Sequence, residues 1–268
     1  MRFRLVFCVA AVLAGCTAQV PTPPPEVPPG QETPVEFAAA RAGEKGKGLL
    51  VRPAGSGPFP PVVLLPGDYG LDERMRAFAR RLAGKGCLVL AVDLFRGEVA
   101  RDVEEAHILG RALPEDRVAA DIRGAVGLLV KHPDVKQGPL AVVGWQLGGG
   151  YAIDSAIADP RITAVVTCYG SLPTEAKTLG PMRASVLGIF AGKSEGLPPE
   201  TIEAFRRAMT KAGKKLAEIY TFQDQGDGFM NPAPGPGAAA RADSAAAEEA
   251  WKKIDDYLGA ELGLGKVP

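Results

Sequence analysis

Histidine is almost absent: the 268 residues hold two, His107 and His132. With four cysteines, none within two residues of another, the chain has no zinc-type ligand spacing. No metal and no cofactor is expected. Charge of one sign is missing too, with 31 basic and 31 acidic residues. That balance, without a basic stripe or aromatic residues interleaved with basic ones, excludes a nucleic-acid surface. The longest early apolar run, LVFCVAAVL, is too short to span a bilayer stably.

That run nevertheless has a role. Arg2 and Arg4 precede it and LAGC, ending at Cys16, follows it. Charge, apolar run and small residues in that order read as an export signal, and LAGC resembles the lipobox of bacterial lipoproteins. The resemblance implies cleavage before Cys16 and lipidation of its sulfur, and so a lipid-anchored protein of the bacterial cell envelope, exposed outside the cytoplasm. A plain signal peptide and a misplaced start remain open. Residues 17–34 are Pro-rich and cannot build a core; extended at about 3.1 Å per residue they would reach roughly 55 Å as a tether. Membrane contact is thus expected through the N-terminal lipid. The folded domain is placed at residues 35–263. Cys87 and Cys168 fall in separate apolar runs, which argues against a disulfide between them.

Within the domain, strand and helix signals alternate. PVVLLP, CLVLAVDLF, PLAVVGW, RITAVVTCYG and ASVLGIFAG are apolar runs of the kind buried on both faces of a sheet. Between them, Met75, Phe78 and Leu82 recur at helical spacing, as do Val118, Ile122, Val126 and Leu129. Ser244 suits a helix cap. The alternation predicts an α/β fold: a mainly parallel sheet with helices on both faces, preceded by a hairpin, with ligands at the carboxyl ends of the strands.

The sequence GWQLGGG, residues 144–150, sits where an apolar strand turns into a helix. Glycines two residues either side of a central position make the tight turn that presents a nucleophile in hydrolases. Here the central residue is Gln146. Several colinear stretches resemble the dienelactone hydrolase family of the α/β-hydrolase fold: PVVLLPGDYG through AVDLFRG, GWQLGGG, LGIFAGKSEGLPPE and GDGFMNP. The family hydrolyses lactones and esters with a nucleophile, an acid and a histidine. Matched position by position, Gln146 stands for the nucleophile, Ser194 for the acid (Glu195 if the register slips by one) and Asp227 for the histidine. Pro66 and Gly67 stand where a family glutamate is missing.

A carboxamide has no proton whose loss yields a nucleophile near neutral pH. What the turn keeps is backbone. The amide of Leu147 at a helix N-terminus, with one from the Gly67–Asp68 loop, would form an oxyanion hole. The ligand pocket is therefore expected around Gly67, Asp68, Trp145, Gln146 and Leu147, for a small carboxylate or ester-like ligand. Gln146 is expected to bridge Asp227, and Arg96 is a candidate charge for an acidic ligand. His107 and His132 are expected to lie outside the site. Three readings follow: a non-hydrolytic binder, a hydrolase in which a buried Asp227 activates water, and an envelope scaffold whose pocket is filled by Tyr69, Trp145 and Phe229.

Overall fold

The computed structural model describes residues 31–39, 43–231 and 244–264. Among the described residues eight strands form one sheet. They are β1 (Gln31–Ala38), β2 (Lys45–Arg52), β3 (Pro61–Leu65), β4 (Leu88–Val92), β5 (Ala141–Trp145), β6 (Ala164–Cys168), β7 (Ser185–Ala191) and β8 (Leu216–Phe222). The spatial order is β1-β2-β4-β3-β5-β6-β7-β8. The β1–β2 and β2–β4 pairs are antiparallel and every other pair is parallel. Every residue of β3 to β7 is buried, as their mainly apolar runs require, with Thr167 and Ser185 the buried polar exceptions.

Successive strand residues serve opposite faces. Val62 and Leu64 face one core, Val63 and Leu65 the other. The first core is closed by α1 (Glu73–Gly84) and the C-terminal helix α7 (Ala245–Leu262). The second is closed by α3 (Glu115–Leu129), α4 (Leu147–Ala158) and α6 (Pro199–Lys211). Two short helices, α2 (Val103–Arg111) and α5 (Ala176–Leu179), lie in the connections after β4 and β6. Helix starts follow local chemistry. Asp72 accepts from the Met75 amide at 2.9 Å and Ser244 from the Ala247 amide at 3.3 Å. Helix α7 is tied to the sheet by Tyr257. Its hydroxyl donates to the Ser185 carbonyl (2.8 Å), lies 2.7 Å from Ser185 Oγ and accepts from the Val165 amide (3.2 Å).

The domain begins earlier than the sequence suggests. β1 starts at Gln31, inside the stretch read as tether, and Pro34 lies within it opposite Leu49. An edge strand tolerates proline because one row of its amides needs no partner. The signal, the rest of the tether and Cys16 lie outside the described residues. Cys87 and Cys168 are both free and buried. Burial pushes the Cys87 thiol up to about 12 and the Cys168 thiol up as well, so neither is a thiolate near neutral pH.

Candidate functional site

β5 runs into α4 through the Gln146 turn. Gln146 has φ 49° and ψ −118°, a conformation that L-residues with a side chain avoid. Packing enforces it. A Cβ on Gly144 would stand 2.1 Å from the Gly148 carbonyl oxygen, and one on Gly148 would stand 2.4 Å from that of Pro66. Only glycine permits this approach of strand and helix. The turn is closed by the Gln146 amide donating to Cys168 O at 2.7 Å and the Gly149 amide donating to Gln146 O at 2.9 Å.

The glutamine head occupies space that Gly67 leaves open. A Cβ at residue 67 would meet Gln146 Oε1 at 2.4 Å. Oε1 is buried and has no hydrogen-bond partner among the described residues; the same holds for Oδ1 of Asn231, whose amide nitrogen lies 3.5 Å from the same Cβ position. The expected Gln146–Asp227 bridge is not formed. Asp227 is exposed and accepts instead from Ser194 Oγ at 2.8 Å, while Ser194 Oγ accepts from the Leu197 amide at 3.0 Å. Ser194, and not the exposed Glu195, is thus the partner of Asp227. The two substituted positions reach one another across β7 and β8 without a titrating imidazole between them.

The oxyanion hole also differs from expectation. The Leu147 amide is directed at a side chain of the protein itself, donating to Asp68 Oδ1 at 3.2 Å. Burial raises the Asp68 pKa above the ordinary carboxylate value. The Leu147 hydrogen bond and the charge of His107 oppose that rise, and the Asp227 carboxylate adds to it.

Above the turn lies an open cavity of about 470 Å³. Gln146 and Leu147 form its floor, and Asp68, Glu115, Asp154 and Asp227 give it four carboxylates. Tyr151, Tyr169 and Ser171 also line it, and among the described residues no lysine, arginine or histidine does. Tyr169 is itself held in a positive-φ conformation (57°), and its hydroxyl accepts from the Met230 amide at 3.2 Å.

Other expected residues lie elsewhere. Trp145 is fully buried on the far face, with its ring 4.9 Å from Phe78 and 5.5 Å from Trp251. The strand's two-residue alternation sends it away from the pocket. Phe229 packs on Tyr169 and Phe222, and Tyr69 on Ala100 and Ala106, so neither fills the cavity. Arg96 pairs with Asp121 at 2.8 Å. His107 is exposed on α2 and is not part of the cavity wall. His132 Nδ1 accepts from the Asp134 amide at the amino end of the sheet. No cluster of metal-binding side chains occurs among the described residues. Sequence reasoning missed Glu115, Tyr151, Asp154, Tyr169 and Ser171. Tyr151 and Asp154 carried a usable signal: they follow Leu147 by four and seven residues, and so share its side of α4.

The turn, the strand order and the cavity at the carboxyl ends of the strands agree with one family, whose model, described as dienelactone hydrolase family, matches residues 47–262. The chain belongs to the dienelactone hydrolase family. An Escherichia coli K12 protein is 30% identical over 217 residues, spanning 75% of this chain and 77% of its own length. A Yersinia pestis protein is 29% identical over 228 residues, spanning 80% and 82%. Both bear the name carboxymethylenebutenolidase as a provisional assignment. The crystal structure of a dienelactone hydrolase-like promiscuous phosphotriesterase from metagenomic libraries superposes with a TM-score of 0.72. It is 23% identical, covering 87% of this chain and 99% of that one, and supports the α/β-hydrolase fold.

Proposed function

We propose that this chain is a dienelactone hydrolase family member that binds a small ligand over the old catalytic turn without forming an acyl-enzyme. One observation carries the reading. The turn presents Gln146, and the amide that would stabilise an oxyanion is engaged by the Asp68 carboxylate. Attack and oxyanion stabilisation, which acyl transfer needs together, are both missing. The cavity's size is that of a small-molecule site, which favours a binder over a scaffold with a filled pocket. A water-activating Asp227 has lost its premise, because that carboxylate is exposed and engaged by Ser194.

The ligand's chemistry follows from the walls. A carboxylate, which a free Leu147 amide would favour, would have to displace Asp68 and meet three further acidic side chains. The lining is rich in hydrogen-bond acceptors, so the preferred ligand presents donors: a neutral or cationic polar head. The N-terminal sequence supports a lipoprotein of the cell envelope, held through Cys16. Purified protein should give no burst and no turnover with 4-nitrophenyl acetate or a butenolide. Turnover that survives purification and is abolished by Gln146→Ala or Asp227→Asn would overturn the proposal. Labelling with a radioactive fatty acid, lost in Cys16→Ser, tests the anchor.

A further inference from the structure

A second cavity of about 260 Å³ opens between α3 and α4. Glu115, Tyr151 and Asp154 belong to both cavities, so the two meet along that line. Their walls differ. The inner end of the second is made by Ile122, Val126 and Ile162, all at most 2% exposed. Its flanks are the small side chains Ala119 on α3 and Ala158 on α4. Ala119, Ile122 and Val126 share one side of α3, while Tyr151, Asp154, Ser155 and Ala158 share one side of α4. Small, exposed residues thus face each other across the mouth of a groove between the two helices, and the buried apolar residues lie at its inner end.

The charges around this chamber lie at its ends. Glu115 and Asp154 stand at the junction with the main cavity. At the other rim Asp159 is tied to Arg161, whose Nε donates to Asp159 Oδ1 at 2.8 Å, and Arg123 of α3, which also lines the chamber, is close enough to act on the Asp159 charge. Between the ends the chamber offers a ligand mainly hydrocarbon. An apolar cavity of about 150 Å³ holds a benzene ring, so this one has room for a chain of roughly eight carbons.

We propose that the α3–α4 chamber is a tail subsite of the Gln146 cavity, and that the ligand is a small amphiphile. Its single aliphatic chain enters between Ala119 and Ala158, and its uncharged or cationic head lies among Asp68, Asp154, Asp227 and Glu115. This rests on the binding function proposed above and adds the ligand class. Neither cavity alone defines that class: the acidic one selects the head, and the hydrocarbon one selects the chain.

Calorimetric titration of the full-length protein with n-butylammonium, n-octylammonium and n-octanoate tests this. n-Octylammonium should bind saturably and roughly a hundredfold or more tighter than n-butylammonium, from the burial of four more methylenes. n-Octanoate should bind more weakly than n-octylammonium. Ala119→Trp, at an exposed helix position, and separately Ala158→Phe should reduce n-octylammonium to the n-butylammonium level with thermal unfolding unchanged. Equal affinity for the two ammonium ions, or a chain-length preference that survives both substitutions, overturns the tail subsite alone. If neither ammonium ion binds wild-type protein saturably, the binding function falls and takes the subsite with it.

Discussion

Asp68 Oδ1 accepts from the backbone amide of Leu147 at 3.2 Å, so the family's oxyanion donor is satisfied from within the chain. Replacing the carboxylate should expose that donor. Asp68→Ala is expected to raise acetate or benzoate affinity by about tenfold, the scale of one regained hydrogen bond to a charged group together with one repulsion removed. Titration calorimetry of the two proteins checks this; equal anion affinities would show that the amide is not the controlling donor.

The same carboxylate gives a pH dependence of stability. Burial, the largest influence, raises the Asp68 pKa in the folded state above its unfolded value. The native protein therefore holds the proton more tightly than the unfolded chain, and stability falls as pH rises through the interval between the two values. Asp68→Asn keeps an acceptor for Leu147 and removes that titration. Urea unfolding should show the variant gaining on wild type as pH rises from the ordinary carboxylate range towards neutrality. A difference that does not vary with pH would refute this.

Gly67 and Gln146 should be energetically coupled. A methyl group on residue 67 would lie 2.4 Å from Gln146 Oε1. Gly67→Ala alone should cost about 1–3 kcal/mol, and much less in a Gln146→Ala background. A double-mutant cycle by urea denaturation reads the coupling directly. A coupling of zero would show that the glutamine head is free to move aside.

Restoring side chains should not by itself restore catalysis. Gln146→Cys, Ser194→Asp and Asp227→His together rebuild the family's residue types, yet the Leu147 amide would remain engaged by Asp68. Removing one oxyanion donor costs on the order of 100-fold or more in rate. Adding Asp68→Ala to that triple variant is therefore expected to raise 4-nitrophenyl acetate hydrolysis by about that factor. An unchanged rate would mean that the hole is not limiting.

Tyr257→Phe should cost about 1–3 kcal/mol in urea unfolding, through the loss of its buried hydroxyl's bonds to Ser185 and Val165. A change within experimental error would mean that α7 is held by its apolar face alone.

Much of this architecture is legible in the sequence because period and length carry it. PVVLL and SVLGIFA have one reading, as strands buried on both faces. GWQLGGG announces its turn through glycines that have no other use at that spacing. What was hidden is which way side chains face once the elements pack. Trp145 adjoins Gln146 in sequence but sits on the far side of the sheet. Asp68 was placed in the pocket for its backbone, whereas its carboxylate meets the Leu147 amide. Glu115 reaches the cavity from α3, and no local pattern could reveal a contact made across two helices. The start of β1 was missed because Pro34 and the polar residues before it look like tether, while edge pairing with β2 overrides that composition.

The backbone at position 146 stays at φ 49° although the residue displayed there is a glutamine. Its shape is set by Gly144, Gly148 and the Pro66 carbonyl, not by the side chain it carries. Geometry and reactivity are therefore separable in this framework. A lineage can exchange the residue at the crest of the bend, losing one activity or acquiring another, without renegotiating how the chain folds.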